Sequence, residues 1–91
     1  MPDSNDIDLS HEIDLHFFSP KDIKYIYDEF ISFNQKNNIL QVKIIHGKGK
    51  SVLKHRILKL LESDSRIKSW ASDGSNWGAM IIYLKEPDQV F

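Results

Sequence analysis

The chain has 91 residues, 41% of them apolar and 27% charged, with a formal net charge of −1 and no cysteine. That length fits one small domain. Those numbers exclude a disulfide framework, a thiolate metal site and a protein that coats nucleic acid by bulk charge. No run reaches the roughly 20 apolar residues that span a bilayer, and the acidic start is not a secretory signal, so a cytoplasmic location without membrane contact is the expectation.

Charge is unevenly spread. Residues 1–14 hold five acids (Asp3, Asp6, Asp8, Glu12, Asp14) and no Lys or Arg. Residues 43–59 hold six basic residues (Lys43, Lys48, Lys50, Lys54, Arg56, Lys59) and no acid. A local basic patch on a nearly neutral chain suits an anionic ligand held at one site, or else a solvated lysine-rich helix face.

In chain order, residues 1–10 read as a flexible acidic arm. "EIDLH" (12–16) alternates as a short strand, with Ile13 and Leu15 inward and Asp14 and His16 on the other face. Ser19 and Pro20 open a helix, the serine as cap and the proline at the first helical position. Ile23, Ile26, Tyr27, Phe30, Ile31 and Phe33 give it an apolar stripe, and Asn37-Asn38 stops it. "ILQVKIIH" (39–46) is a β-branched strand broken by Gly47 and Gly49. A second helix follows, with Val52, Leu53, Ile57, Leu60 and Leu61 as its buried stripe. "IKSWA" (67–71) is a short strand with Trp70 in the core, "SDGSNW" (72–77) a loop, and "GAMIIYLK" (78–85) a central strand. Residues 87–91 form a tail.

The order β-α-β-α-β-β predicts an α/β (α+β) two-layer sandwich. It comprises a four-stranded mixed sheet with two helices on one face, over residues 11–86. Strands one and two run parallel across a helical crossover, and the last two strands pair antiparallel.

The stretch "HGKGKS" (46–51) is not a nucleotide P-loop. That motif needs a glycine five positions before Gly49, and Ile44 stands there. Glycines between a strand and a helix do let an anion approach free amides, with Lys48 and Lys50 beside them. A turn needing glycine only for its backbone angles is the simpler alternative. His46 ends strand two and His16 ends strand one, two residues after Asp14. Parallel strands bring these to one carboxyl edge, where open α/β sheets tend to bind ligands. Two imidazoles, a carboxylate and a phosphate-binding turn suit phosphodiester cleavage. A metal site built from His16, His46 and Asp14 is a competing reading. His11 and His55 carry less weight. Trp77 is either a base-stacking platform or a cover for the sheet edge.

"IDLHFFSPKDI", "VKIIHGKGKSVLK" and "WGAMIIYLK" resemble, in this order and spacing, the three blocks of the Smr (small MutS-related) domain family, over roughly residues 12 to 85 of the sequence. The resemblance implies a two-layer fold similar to the C-terminal domain of translation initiation factor 3. It also implies DNA or RNA endonuclease activity, as in the C-terminal domains of MutS-like proteins and in small stand-alone bacterial forms. On that footing Asp14, His16 and His46 are the expected catalytic residues. Gly47, Lys48, Gly49, Lys50, Lys54, Trp77 and Gly78 are expected to hold nucleic acid. No metal or cofactor is expected, although magnesium at Asp14 stays open. The expected partner is DNA or structured RNA, in a ribosome-associated setting or otherwise, bound by a monomer. A non-catalytic nucleic-acid- or ribosome-binding module on the same basic loop is the alternative. Two blocks depart from the family pattern. Phe17 stands where a glycine usually follows the first histidine, and the last block keeps Gly78 and Ala79 but has Met80 in place of threonine.

Overall fold

A computed structural model describes residues 11–49, 51–74 and 76–89. The arm expected over 1–10, Lys50, the end of the tail and the side chain of Trp77 lie outside the described residues. Four strands and two helices follow in the order β1 (Glu12–Asp14), α1 (Ile23–Lys36), β2 (Gln41–Ile45), α2 (Ser51–Glu62), β3 (Ile67–Asp73) and β4 (Asn76–Leu84). The sheet order is β1-β2-β4-β3. β1 and β2 are parallel, with Asp14 opposite Ile45. β4 is antiparallel to both β2 and β3, so it is central, as its continuous apolar run predicts.

The architecture is the expected α+β sandwich. Val42 and Ile44 of β2, with Met80, Ile82 and Leu84 of β4, are buried in one core with Ile23, Tyr27, Phe30 and Ile31 of α1 and Ile57 and Leu61 of α2. The alternating residues Gln41, Lys43, Ile45, Ile81 and Tyr83 are half-buried or exposed. That two-residue alternation shows both helices covering one face. Each buried Ile or Leu contributes about 1.5–3 kcal/mol by leaving water.

Local chemistry moves several boundaries. β1 stops at Asp14 rather than at residue 16, because residues Leu15–Phe17 turn into a short 3₁₀ helix capped by the Asp14 side chain. Residues Pro20–Asp22 form a second 3₁₀ turn before α1. Ser19 makes no side-chain cap there; its carbonyl accepts the Asp22 amide at 2.9 Å. α1 ends where expected, with Asn38 at φ 61°, a left-handed conformation that asparagine tolerates.

Three apolar residues are more exposed than their spacing predicts. Val52 is 82% exposed: it lies one position off the Leu53–Ile57–Leu60–Leu61 stripe, in the first turn of α2. Phe33 likewise falls beside the α1 stripe at 41%. Trp70, expected in the core, is 37% exposed. It pairs with Ile82, but β3 is an edge strand and supplies neighbours on one flank only. The residue the pattern missed is Asn34, fully buried within α1, whose amide nitrogen donates to the Phe30 carbonyl at 2.8 Å.

Candidate nucleic-acid site at the carboxyl edge of β1 and β2

β1 and β2 end side by side, and their continuations, 15–17 and 46–49, form the rim of the sheet. On the β1 side, Asp14 and His16 form a closed local pair. Asp14 Oδ1 accepts the His16 backbone amide at 3.1 Å and lies 2.5 Å from the imidazole Nδ1. The backbone bond is an Asx-type turn, which pulls the carboxylate back over the chain and sets the distance to the ring. With the Nδ1 proton directed at Asp14, the lone pair of a neutral His16 ring is on Nε2. The pair is accessible, with side chains 32% and 27% exposed for His16 and Asp14.

The β2 side is built differently. His46 is buried at 3% exposure, and its Nδ1 lies 3.1 Å from the Gly47 carbonyl. Burial lowers its pKa, and the positive charge of Lys54 lowers it further, against the opposing bond to Gly47. Neutral His46 therefore donates Nδ1–H to that carbonyl. The backbone amides of His46 and Gly47 both donate to the Gly78 carbonyl, at 2.8 and 2.9 Å. Gly47 and Gly49 take φ of 87° and 73°, the left-handed region that favours glycine. Gly78 has a separate reason for having no side chain: a Cβ there would stand 2.9 Å from the Lys48 nitrogen and 3.2 Å from the Gly47 carbonyl carbon. β4 thus clamps the basic turn against the end of β2.

These bonds sort the expected site residues. Asp14 and His16 meet. His46, Gly47 and Gly78 lock the turn from behind, and the Gly47 amide is engaged by Gly78. Lys48 and Gly49 are exposed on the turn, and Lys54 is half-buried near His46. Among the described residues, no three His, Asp or Glu side chains converge to hold a metal ion. None of the helices there is long and apolar enough to cross a membrane.

Between the two halves of the rim lies a cleft of about 390 Å³, lined by His16, Phe18, Pro20, Ile23, Gly49, Val52, Leu53 and Arg56. It joins the Asp14–His16 pair to the glycine turn. Arg56 crosses it, with Nη1 donating to the Pro20 carbonyl at 2.5 Å. In the sequence Arg56 stands out only as part of a basic run. Its spacing from Val52 and Leu53, four and three residues, was the available signal that it shares their side of α2.

Comparison with known proteins bears on the family and the fold. The Smr domain family model matches residues 13–85. The Endonuclease MutS2 of Finegoldia magna is 37% identical over 81 residues, covering 86% of this chain and 10% of that protein. The Endonuclease MutS2 of Acetivibrio thermocellus is 37% identical over 62 residues, covering 68% of this chain and 8% of its own length. The chain therefore spans about a tenth of the curated relatives it matches. Among solved structures, the Smr domain of Thermus thermophilus MutS2 superposes with a TM-score of 0.76 at 22% identity, over 82% of this chain and 98% of that one. YdaL, a stand-alone small MutS-related protein from Escherichia coli, gives 0.78 at 17% identity, over 82% and 64%. The two likenesses show a shared fold, and the family match covers nearly every described residue: this chain belongs to the Smr domain family.

Proposed function

We propose that the chain is a nucleic-acid phosphodiesterase, cutting DNA or RNA at the carboxyl edge of β1 and β2. The observation that carries this reading is the Asp14–His16 pair, open to solvent beside a basic glycine turn. A carboxylate that fixes one imidazole nitrogen leaves the other as a general base. His16 Nε2 takes a proton from the attacking hydroxyl, either a water or the 2′-hydroxyl of RNA. As the new O–P bond forms and the leaving P–O bond breaks, the imidazolium is stabilised by Asp14 and returns its proton to the departing oxygen. Lys48 and Arg56 offset the charge that grows on the phosphoryl oxygens. His46 acts on this chemistry as a positioning residue, through the turn it braces. The names of the MutS2 relatives carry the word endonuclease, which supports the same reading for this chain.

The test is cleavage of supercoiled plasmid and of structured RNA, with and without chelator. Asp14→Asn and His16→Ala are each expected to slow cleavage about 100-fold or more, the usual worth of a general base. Cleavage unchanged in both variants would place the activity elsewhere. Substrate binding without cleavage in the unaltered protein would favour a binding module on the same edge.

A further inference from the structure

Two features beside the Asp14–His16 pair are not accounted for by phosphate binding. Phe17 is 79% exposed, although burying such a ring is worth about 1.5–3 kcal/mol. Its ring centroid lies 4.2 Å from that of His16, tilted by 34°. The cleft on the His16 side is walled mainly by apolar side chains, Phe18, Pro20, Ile23, Val52 and Leu53, with the Arg56 guanidinium across it. Phosphate recognition calls for cations and amides, which the cleft offers at Arg56 and at the first turn of α2; the apolar side chains of Phe18, Pro20, Ile23, Val52 and Leu53 add nothing to it. An exposed aromatic ring and an apolar slot bounded by a guanidinium are what an unpaired base needs: a face to stack on and an apolar wall to lie against. The volume, about 390 Å³, falls at the small end of the roughly 300–1,000 Å³ range of ligand sites. The positive charges of Lys48, Lys54 and Arg56 complement the backbone that carries the base.

We propose that this edge selects an unpaired nucleotide. The Phe18–Leu53 cleft receives a base next to the phosphate at His16, and Phe17 stacks on the neighbouring base. Bases in an intact duplex are stacked on one another and cannot enter, so a paired strand reaches only the phosphate contacts. The proposal deepens the reading above and rests on its claim that nucleic acid binds here; it adds that the bases, and not the backbone alone, are held.

The experiment is equilibrium binding at fixed salt of three probes of equal length: a single-stranded oligonucleotide, the same strand in a blunt duplex, and a strand with abasic sites throughout its central segment. Each is made in DNA, and the first two also in RNA, so that sugar preference is read separately. The single strand is expected to bind at least about 10-fold more tightly than the abasic strand or the duplex. Phe17→Ala is expected to weaken single-strand binding about 5- to 150-fold, the range seen when a base-stacking ring is removed. It should leave the abasic probe unaffected, and Phe17→Tyr should restore the preference. At 79% exposure the Phe17 ring carries little of the core, and circular dichroism of each variant checks the fold. Equal affinity for all three probes would overturn base selection and leave the phosphate site standing. No binding to any probe would overturn the phosphate site and base selection together.

Discussion

Asp14 and Asp64 use the same local device and reach opposite ends. Each carboxylate accepts the backbone amide of the residue two places on, His16 at 3.1 Å and Arg66 at 3.0 Å. Each also binds the side chain of that residue, at 2.5 Å for His16 and 2.8 Å for Arg66. From there they diverge. Tyr27 of α1 donates its hydroxyl to Asp64 at 2.7 Å. Arg66 reaches α1 as well, donating to Asp28 and Ser32, both at 2.8 Å. The Asp64 side chain is 8% exposed, against 27% for Asp14. Among the described residues, neither the Asp14 carboxylate nor the His16 ring bonds to another element. The two clusters flank β4: Gly78 near its start clamps the basic turn, and Lys85 just past its end donates to the Arg66 carbonyl at 2.9 Å. A saturated polar knot holds helix to sheet at one end. At the other, the Asp14–His16 pair is local and open to solvent, as the proposed chemistry requires.

The widest gap between the clusters should appear when each carboxylate loses its side-chain partner. His16→Ala is expected to reduce cleavage about 10²- to 10⁴-fold. Its stability should change by less than about 1 kcal/mol, as for other exposed pairs. Arg66→Met should do the reverse. It strands the mostly buried Asp64 carboxylate and removes the bonds to Asp28 and Ser32 of α1, at a cost of about 3 kcal/mol. For a domain of this size that lowers the Tm by about 12–24 °C. Cleavage measured below the new Tm should be intact. Thermal melts paired with nicking assays check both, and a His16→Ala protein that melts as early as Arg66→Met would show that the two pairs are equivalent.

Gly78→Ala tests the clamp that joins fold to site. The added methyl would meet the Lys48 nitrogen at 2.9 Å, so β4 or the turn must shift. The expected cost is about 1–3 kcal/mol, typical of overpacking. Cleavage should fall further than that stability loss explains, because the turn moves away from His16. A variant that keeps full cleavage at reduced stability would detach the turn from function.

The pairs also mark how far the sequence can be read. "DLH" and "DSR" are both an acid followed two places on by a basic residue, and nothing local separates them. What distinguishes the second is distant: its partners, Tyr27, Asp28 and Ser32, lie 37, 38 and 34 residues away from the residues they bind. Strand pairing and the core faces of β2 and β4 were legible, since alternation and a continuous apolar run report burial directly. Asp14 and His16 were legible as neighbours on one strand face, but the 3₁₀ turn that brings them into contact was not. Nor was the burial of His46. It depends on β4 crossing behind the turn, which no spacing within "IIHGKG" encodes. The exposure of Val52 and Trp70 was likewise hidden, because it is set by where a helix starts over the sheet and by which strand is at the edge.

Acid should separate the two ends by pH. His46 has its pKa lowered in the folded chain, chiefly by burial, while the unfolded imidazole titrates near about 6.5. Between those values the unfolded chain binds more protons, so stability falls as pH drops below about 6.5 and levels off under the folded pKa. Asp64 is also lowered. Burial works against its ionisation, but the bonds from the Arg66 side chain, the Arg66 amide and Tyr27 prevail. Its contribution is complete above the unfolded value of about 3.9 and is lost as pH falls through the folded one. Urea denaturation from pH 8 to 3 is therefore expected to show two separate declines. His46→Gln, which keeps a donor for the Gly47 carbonyl without a titrating ring, should remove the upper decline and spare the lower. Asp64→Asn should remove the lower one from an already less stable protein. If the upper decline persisted in His46→Gln, the imidazole behind the basic turn would not be the group that resists protonation.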